Sequence, residues 1–194
     1  MTEPLESLAT EIRACRLCES QLPLGPRPVI QVDRRARILV AAQAPGTRVH
    51  ETGIPFNDPS GERLRDWMGI DREIFYDPAR IAIVPMGFCY PGRGKSGDKP
   101  PIPVCARTWR RPLLDLLPDI RLTLVIGQYA QNWHLGKDGR NLTGRVRDYR
   151  AFGAGLMPLP HPSPRNNLWL ARNPWFGQEL VPELRRRVAE VLRA

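Results

Sequence analysis

The apolar positions of this chain follow two rhythms. Residues 4 to 14 place Leu5, Leu8 and Ile12 on one helical face, with Thr2 or a neighbour as cap and Pro4 in the first turn. Four short, mostly apolar runs behave differently: Arg37–Ala42, Ile81–Met86, Leu122–Ile126 and Leu156–Leu159. Runs of this length read as strands buried on both faces. Helical patterns lie between them, in "GERLRDWMGI", "CARTWRRPLLDLL" and "QYAQNWHL". A last one over 178–193 carries Leu180, Leu184, Val188 and Val191 on one stripe, with Arg185, Arg186 and Arg187 around it. This alternation predicts an α/β chain whose parallel sheet is covered on both faces. No repeat, low-complexity tract or linker divides the chain, so a single domain over residues 1–194 is expected.

In such a sheet, ligands bind outside the carboxyl ends of the strands. That rule gathers four turn-rich segments on one rim. "QAPG" follows the first strand, "GFCYPG" the second, "GQ" the third and "HPSPRNN" the fourth. The rule locates a site without naming its chemistry.

Composition changes this picture little, and charge changes it more. Hydrophobic content of 42% and charged content of 25% are ordinary for a globular protein. No run approaches the ~18 apolar residues of a membrane span. The start, "MTEPLESLATEIRAC", is acidic and amphipathic, unlike a signal peptide. A cytoplasmic protein with no membrane partner is expected. Lys and Arg number 29 against 20 acidic residues, a net charge of +9. Most of the excess is Arg, whose guanidinium forks fit phosphate oxygens, so a polyanionic partner is expected. An Arg-rich proteome would produce the same excess. Many of the 21 prolines fall in "YPGRGKSGDKPPIPVC" and "MPLPHPSPRNN", which read as stiff, ordered loops.

The four cysteines come in pairs, Cys15 with Cys18 in C-x2-C and Cys89 with Cys105 in C-x15-C. A C-x2-C pair at a helix end holds two thiolates a short distance apart, as metal or cluster ligation needs. Spacing alone leaves zinc, an iron–sulfur cluster and buried free thiols open.

Taken together, "CRLC", "AQAPG" with "TGIPF", "CYPGRGKSGDKPPIPVC" and "HPSPRNN" resemble the motifs of the uracil-DNA glycosylase superfamily. The likeness is strongest to its iron–sulfur branches, families four and five, and runs in register from residue 15 to about 170. It implies a three-layer α/β/α fold with a central, mainly parallel four-stranded sheet. It implies a [4Fe–4S] cluster on Cys15, Cys18, Cys89 and Cys105. The implied activity is that of a monofunctional DNA repair glycosylase, acting as a monomer on DNA that contains deaminated bases. Such an enzyme flips uracil or a related base into a pocket and hydrolyses its N-glycosidic bond.

The resemblance also assigns roles. Phe56 matches the aromatic platform for the base. His161 matches the histidine that donates to the base oxygen as charge builds there. Ser163, Arg165 and Asn166 fall where the family touches DNA, and Asn166, Asn167 and Leu168 are candidates for the wedge that fills the gap in the duplex. Arg93, Lys95 and Lys99 of the cysteine loop suit DNA phosphates. His50 lies near the site, while His134 reads as packed or exposed.

Three departures stand out. The fourth family has Glu where this chain has Gln43, and the best-known uracil enzymes have Asp where it has Ala44. The first turn therefore holds no general base, and Gln43 and Ala44 are expected to face the base with amide and backbone. Glu51 and Asp58 are the nearby carboxylates. The fifth family places an Asp shortly after its aromatic residue, which carries over to Asp58, although a helix cap is the competing role there. Finally, the Asn that reads uracil in the fourth family is replaced by Pro85. Either backbone groups near Met86 and Gly87 then read the base, or the specificity is broader or different. Two alternatives stand beside this reading: a catalytically weak or inactive nucleic-acid-binding relative, and a small-molecule nucleotide hydrolase.

Overall fold

A computed structural model describes residues 4–95, 97–136 and 138–193. The expected cap at Thr2 lies outside the described residues. Four strands form the centre: β1 Ile38–Ala41, β2 Ile81–Ile83, β3 Leu122–Ile126 and β4 Leu156–Leu159. Their order is β2-β1-β3-β4 and every pairing is parallel. Ile38 stands opposite Ile81 on one side and Leu122 on the other. Ten α-helical segments surround the sheet among the described residues: α1 Pro4–Arg13, α2 Thr47–Thr52, α3 Pro59–Met68, α4 Arg72–Tyr76, α5 Pro103–Cys105, α6 Arg111–Asp115, α7 Gly127–Leu135, α8 Leu142–Arg147, α9 Asn167–Arg172 and α10 Val181–Arg193.

Side-chain alternation along the strands builds the three layers. Ile38 and Val40 point to one face, where Leu64 and Trp67 of α3 and Leu184 and Val188 of α10 cover them. Leu39, Ala82 and Val84 point to the other, under Leu5 and Ile12 of α1 and Leu113 of α6. Each strand is buried on both faces, which is why the strand runs carry no polar alternation.

The second apolar run ends as a strand at Ile83, earlier than Met86, because Pro85 has no N–H to donate. The segment nevertheless stays on β1: Val84 N–H donates to Val40 O at 3.0 Å and Met86 N–H to Ala42 O at 2.7 Å. The helix of "CARTWRRPLLDLL" starts at Pro103 and passes through a π-helical stretch, Ala106–Arg110, before α6. Another π-helical stretch, Phe176–Leu180, precedes α10. Pro112 and Pro182, just downstream, lack the N–H that a regular turn would use. Short α2, α4 and α8 were invisible in the periodicity, since five or six residues barely sample it. Two of them declare themselves by their caps: Asp71 accepts from Ile74 N–H and Asn141 from Gly144 N–H.

From β1 the chain moves to β2 on one side, then crosses to β3 on the other. Strand order reverses there, so the crevice for a ligand opens at the carboxyl ends of β1 and β3.

Candidate active site

A crevice of about 540 Å³ occupies that switch point. Four segments far apart in sequence line it. Gln43, Ala44 and Pro45 follow β1, Phe56 and Asp58 precede α3, Gly97 and Asp98 come from the cysteine loop, and His161, Ser163, Arg165 and Asn166 follow β4.

The turn after β1 is held by the cysteine loop. Gln43 O accepts from Gly87 N–H at 2.9 Å, and Gln43 Nε2 donates to Lys99 O at 3.3 Å. The Ala44 N–H makes no hydrogen bond among the described residues and lies in the crevice lining.

Phe56 is bent into the crevice by its own backbone. Its φ of 54° is the one positive value at a non-glycine position among the described residues. Left-handed backbone costs roughly 1–2 kcal/mol and persists where the surroundings hold it. The surroundings here are Gly61, whose missing Cβ leaves room for the Phe56 carbonyl, and Phe75, whose ring meets that of Phe56 edge-on at 6.0 Å. Asp58 stands two residues on as the cap of α3. Its Oδ1 accepts from Gly61 N–H at 2.9 Å, while its other oxygen makes no hydrogen bond among the described residues.

His161 is fixed from both sides. Ser163 N–H donates to its Nδ1 at 3.2 Å, which leaves the proton of the neutral ring on Nε2. Burial lowers its pKa below the ordinary value of 6.5, against the charges of Asp58 and Asp98, which pull the other way. The imidazole is therefore uncharged at neutral pH. Gly127, with φ of 78°, opens α7 directly behind the ring, and a Cβ there would sit 3.9 Å from His161 Cβ and Cδ2.

The residues after His161 build its turn first. Asn166 Nδ2 donates to His161 O at 2.7 Å, Arg63 donates to Ser163 O at 3.1 Å, and Ser163 Oγ accepts from Arg165 N–H at 3.3 Å. The Asn166 amide donor is thus engaged inside the protein. The Arg165 guanidinium reaches across to Gly97, where any Cβ would collide with it. Leu168 is 61% exposed, the highest value among the exposed large apolar side chains.

Gly87 falls elsewhere than expected. It lines the cysteine recess, and a Cβ on it would meet Pro101 at 3.0 Å and Ala44 at 3.6 Å, so it is a spacer. Nor can the backbone near Met86 and Gly87 read a base by donation. Both N–H groups are spent on Ala42 O and Gln43 O, because this segment continues the β1 pairing. Glu51 is exposed and outside the crevice lining. His50 packs toward Tyr90, ring centroids 6.2 Å apart, also outside it. His134 packs against Arg110.

Asp98, Gly97 and Arg48 line the crevice without having been anticipated. The sole mark on Asp98 was that it is the one acid in a basic loop. Its placement needs the loop to turn back on itself, through Gly94 N–H to Gly97 O at 2.6 Å and Lys99 N–H to Gly92 O at 2.8 Å.

All four cysteines line one apolar recess with Leu22, Phe88 and Trp109. Trp109 Nε1–H donates to Cys15 Sγ and Phe88 N–H to Cys105 Sγ, both at 3.3 Å. Burial pushes the Cys89 thiol up to about 11 and the Cys105 thiol up to about 12, and the neighbouring thiols add to both shifts. Among the described residues, no group of three or more His, Cys, Asp or Glu side chains is gathered so as to hold a metal ion.

A parallel α/β sheet whose switch-point crevice combines an aromatic ring, a carboxylate and an uncharged imidazole defines a pocket for a flat, hydrogen-bonding ligand. Residues 29–185 match the uracil DNA glycosylase superfamily. The match spans most of the chain, and the protein belongs to that superfamily, whose members act on DNA. No helix among the described residues is long and apolar enough to cross a membrane.

Proposed function

We propose that this protein is a monofunctional DNA glycosylase that hydrolyses the N-glycosidic bond of uracil or a related deaminated base flipped out of DNA. The observation that carries the reading is His161. It is uncharged, its Nδ1 is occupied by Ser163 N–H, and its Nε2–H is left to donate within the crevice that Phe56 and Asp58 share.

The flipped base stacks on Phe56, with Gln43 and Ala44 at its edge. As the bond from C1′ to the base nitrogen breaks, the electron pair moves into the base and collects on its oxygens. The Nε2–H of His161 donates to one of them without giving up its proton, the kind of prepositioned donor that favours charge developing in the transition state. The sugar gains positive character. A water held by the unbonded oxygen of Asp58 attacks C1′ and gives its proton to that carboxylate, and the base leaves as an anion. Arg165 is suited to a phosphate beside the flipped nucleotide. Pro85 offers no amide to enforce uracil, so the site accepts more than one deaminated base.

The cysteine recess is suited to a [4Fe–4S] cluster on Cys15, Cys18, Cys89 and Cys105. A cluster of four irons keeps its thiolates farther apart than one ion does, and N–H donors already face two of the sulfurs. Hydrolysis transfers no electrons, so such a cluster would supply bonds that tie the segment after α1 to the Cys89–Cys105 loop.

The test uses oligonucleotides containing uracil, hypoxanthine or xanthine, followed by alkaline cleavage of abasic sites. Scission is expected with at least one of them. His161→Ala should lower the rate by about 10²–10³, the usual loss of one such donor. Binding to all three without excision overturns the reading and identifies a non-catalytic relative.

A further inference from the structure

Beyond Gln43 lies a second trough, of about 810 Å³. Tyr129 and Trp133 of α7 line one side and Pro100 and Pro101 line another. Lys99 and Arg107 supply its charge, and no acidic residue among the described ones lines it. Arg107 makes no ion pair among the described residues. Tyr129 and Trp133 are four residues apart, so they share one helix face a turn apart. They are 39% and 37% exposed, whereas the aromatic core residues Phe75, Phe88 and Phe176 are sealed.

The Trp133 ring is also held still. The guanidinium of buried Arg110 lies 4.8 Å from its centroid. That guanidinium is itself fixed on Val84 O at 2.6 Å and Pro85 O at 2.9 Å. The His134 ring meets Trp133 edge-on at 4.6 Å. An exposed aromatic ring clamped from beneath costs little entropy when something stacks on it.

We propose that this trough binds the unpaired strand flanking the flipped nucleotide, with bases stacked on Tyr129 and Trp133 and phosphates near Arg107 and Lys99. In a duplex the base faces are covered by their neighbours. Exposed aromatic platforms beside basic groups therefore suit single-stranded nucleic acid. Continuity supports the placement. Gln43 lines the crevice, Lys99 lines the trough, and the Gln43 amide donates to Lys99 O at 3.3 Å. Tyr129 lies in the first turn of α7, which starts at the carboxyl end of β3, on the rim where the crevice opens. The inference rests on DNA being the partner, as in the proposed function.

The test measures anisotropy of the intact protein with a labelled single strand lacking any deaminated base, and with the matching duplex. Tyr129→Ala is expected to weaken single-strand binding by about 5- to 150-fold, the range for losing one stacked base, while duplex binding moves less than about 2-fold. Arg107→Ala should lower the salt slope of single-strand binding by about 0.7. In excision assays, Tyr129→Ala should raise KM on a single-stranded substrate and leave kcat unchanged. Single-strand affinity indifferent to both substitutions overturns the trough, as does a parallel loss on duplex. A wild-type protein that excises bases while its single-strand affinity ignores Tyr129 overturns the trough alone. If the wild type excises nothing but Tyr129→Ala still loses the single strand, the trough stands and the glycosylase reading fails.

Discussion

His161 and Asp58 are told apart by what their internal hydrogen bonds leave over. Among the described residues, His161 keeps Nε2–H free because Nδ1 is engaged, and Asp58 keeps one oxygen free because the other caps α3. Asp58→Asn preserves the cap, since Asn caps as well as Asp. It should leave the thermal midpoint nearly unchanged and lower kcat by about 10²–10⁴, as loss of a general base does. An unchanged kcat would sink the assignment of Asp58. Because burial holds the His161 pKa below 6.5, the excision rate should not drop as pH falls through 6.5, only at more acid values; a pH profile of kcat checks this. Gly61→Ala would drive a methyl into the Phe56 carbonyl. Its expected cost is about 1–3 kcal/mol in urea denaturation, with weaker substrate binding as the ring shifts. Phe56, Asp58 and His161 were legible as residues from their motifs. The tautomer and the strained φ were not, because both arise from partners that only folding brings close.

At the scale of elements, the strand ends and amphipathic stripes were readable because burial on two faces or one leaves a distinct apolar period. β3 and β4 appear with the predicted bounds, and α10 buries the predicted Leu184 and Val188. The Cys89–Cys105 loop shows the limit. Its basic residues suggested phosphate contacts, yet its hairpin delivers Gly97 and Asp98 into the crevice and its two cysteine ends to the cysteine recess. One loop thus forms a wall of both sites. Cys89→Ser should therefore lower the thermal midpoint and weaken DNA binding together, read by a melting curve and by anisotropy. Bound iron and visible absorbance in the wild type, lost in that variant, would support the cluster.

For the whole molecule, charge and burial set the response to solution conditions. A net charge of +9 makes DNA affinity fall steeply with salt, and a plot of log affinity against log salt should slope negatively by about the number of phosphates neutralised. Acid should act through two partly buried imidazoles. Burial and the Arg110 charge push the His134 pKa down to about 3, and burial lowers that of His161. Both sit below the unfolded value near 6.5, so the unfolded chain takes up protons first. Stability is then full above 6.5 and declines as pH falls below it, by up to about 1.4 kcal/mol per pH unit for each histidine. Urea midpoints at pH 7 and 5 check the sign. The sequence by itself determined the α/β class, the rim that carries the site and the motifs that mark the superfamily, because strand burial and turn chemistry are local properties written in spacing. Tertiary structure alone decided that Gly87 is a spacer, that the Met86 and Gly87 N–H groups are spent, that Asp98 joins the crevice and that Tyr129 and Trp133 line a trough with Lys99 and Arg107. Each of these depends on which backbone donors are already paired and on how a loop folds back, and neither is a function of neighbouring residues in the chain.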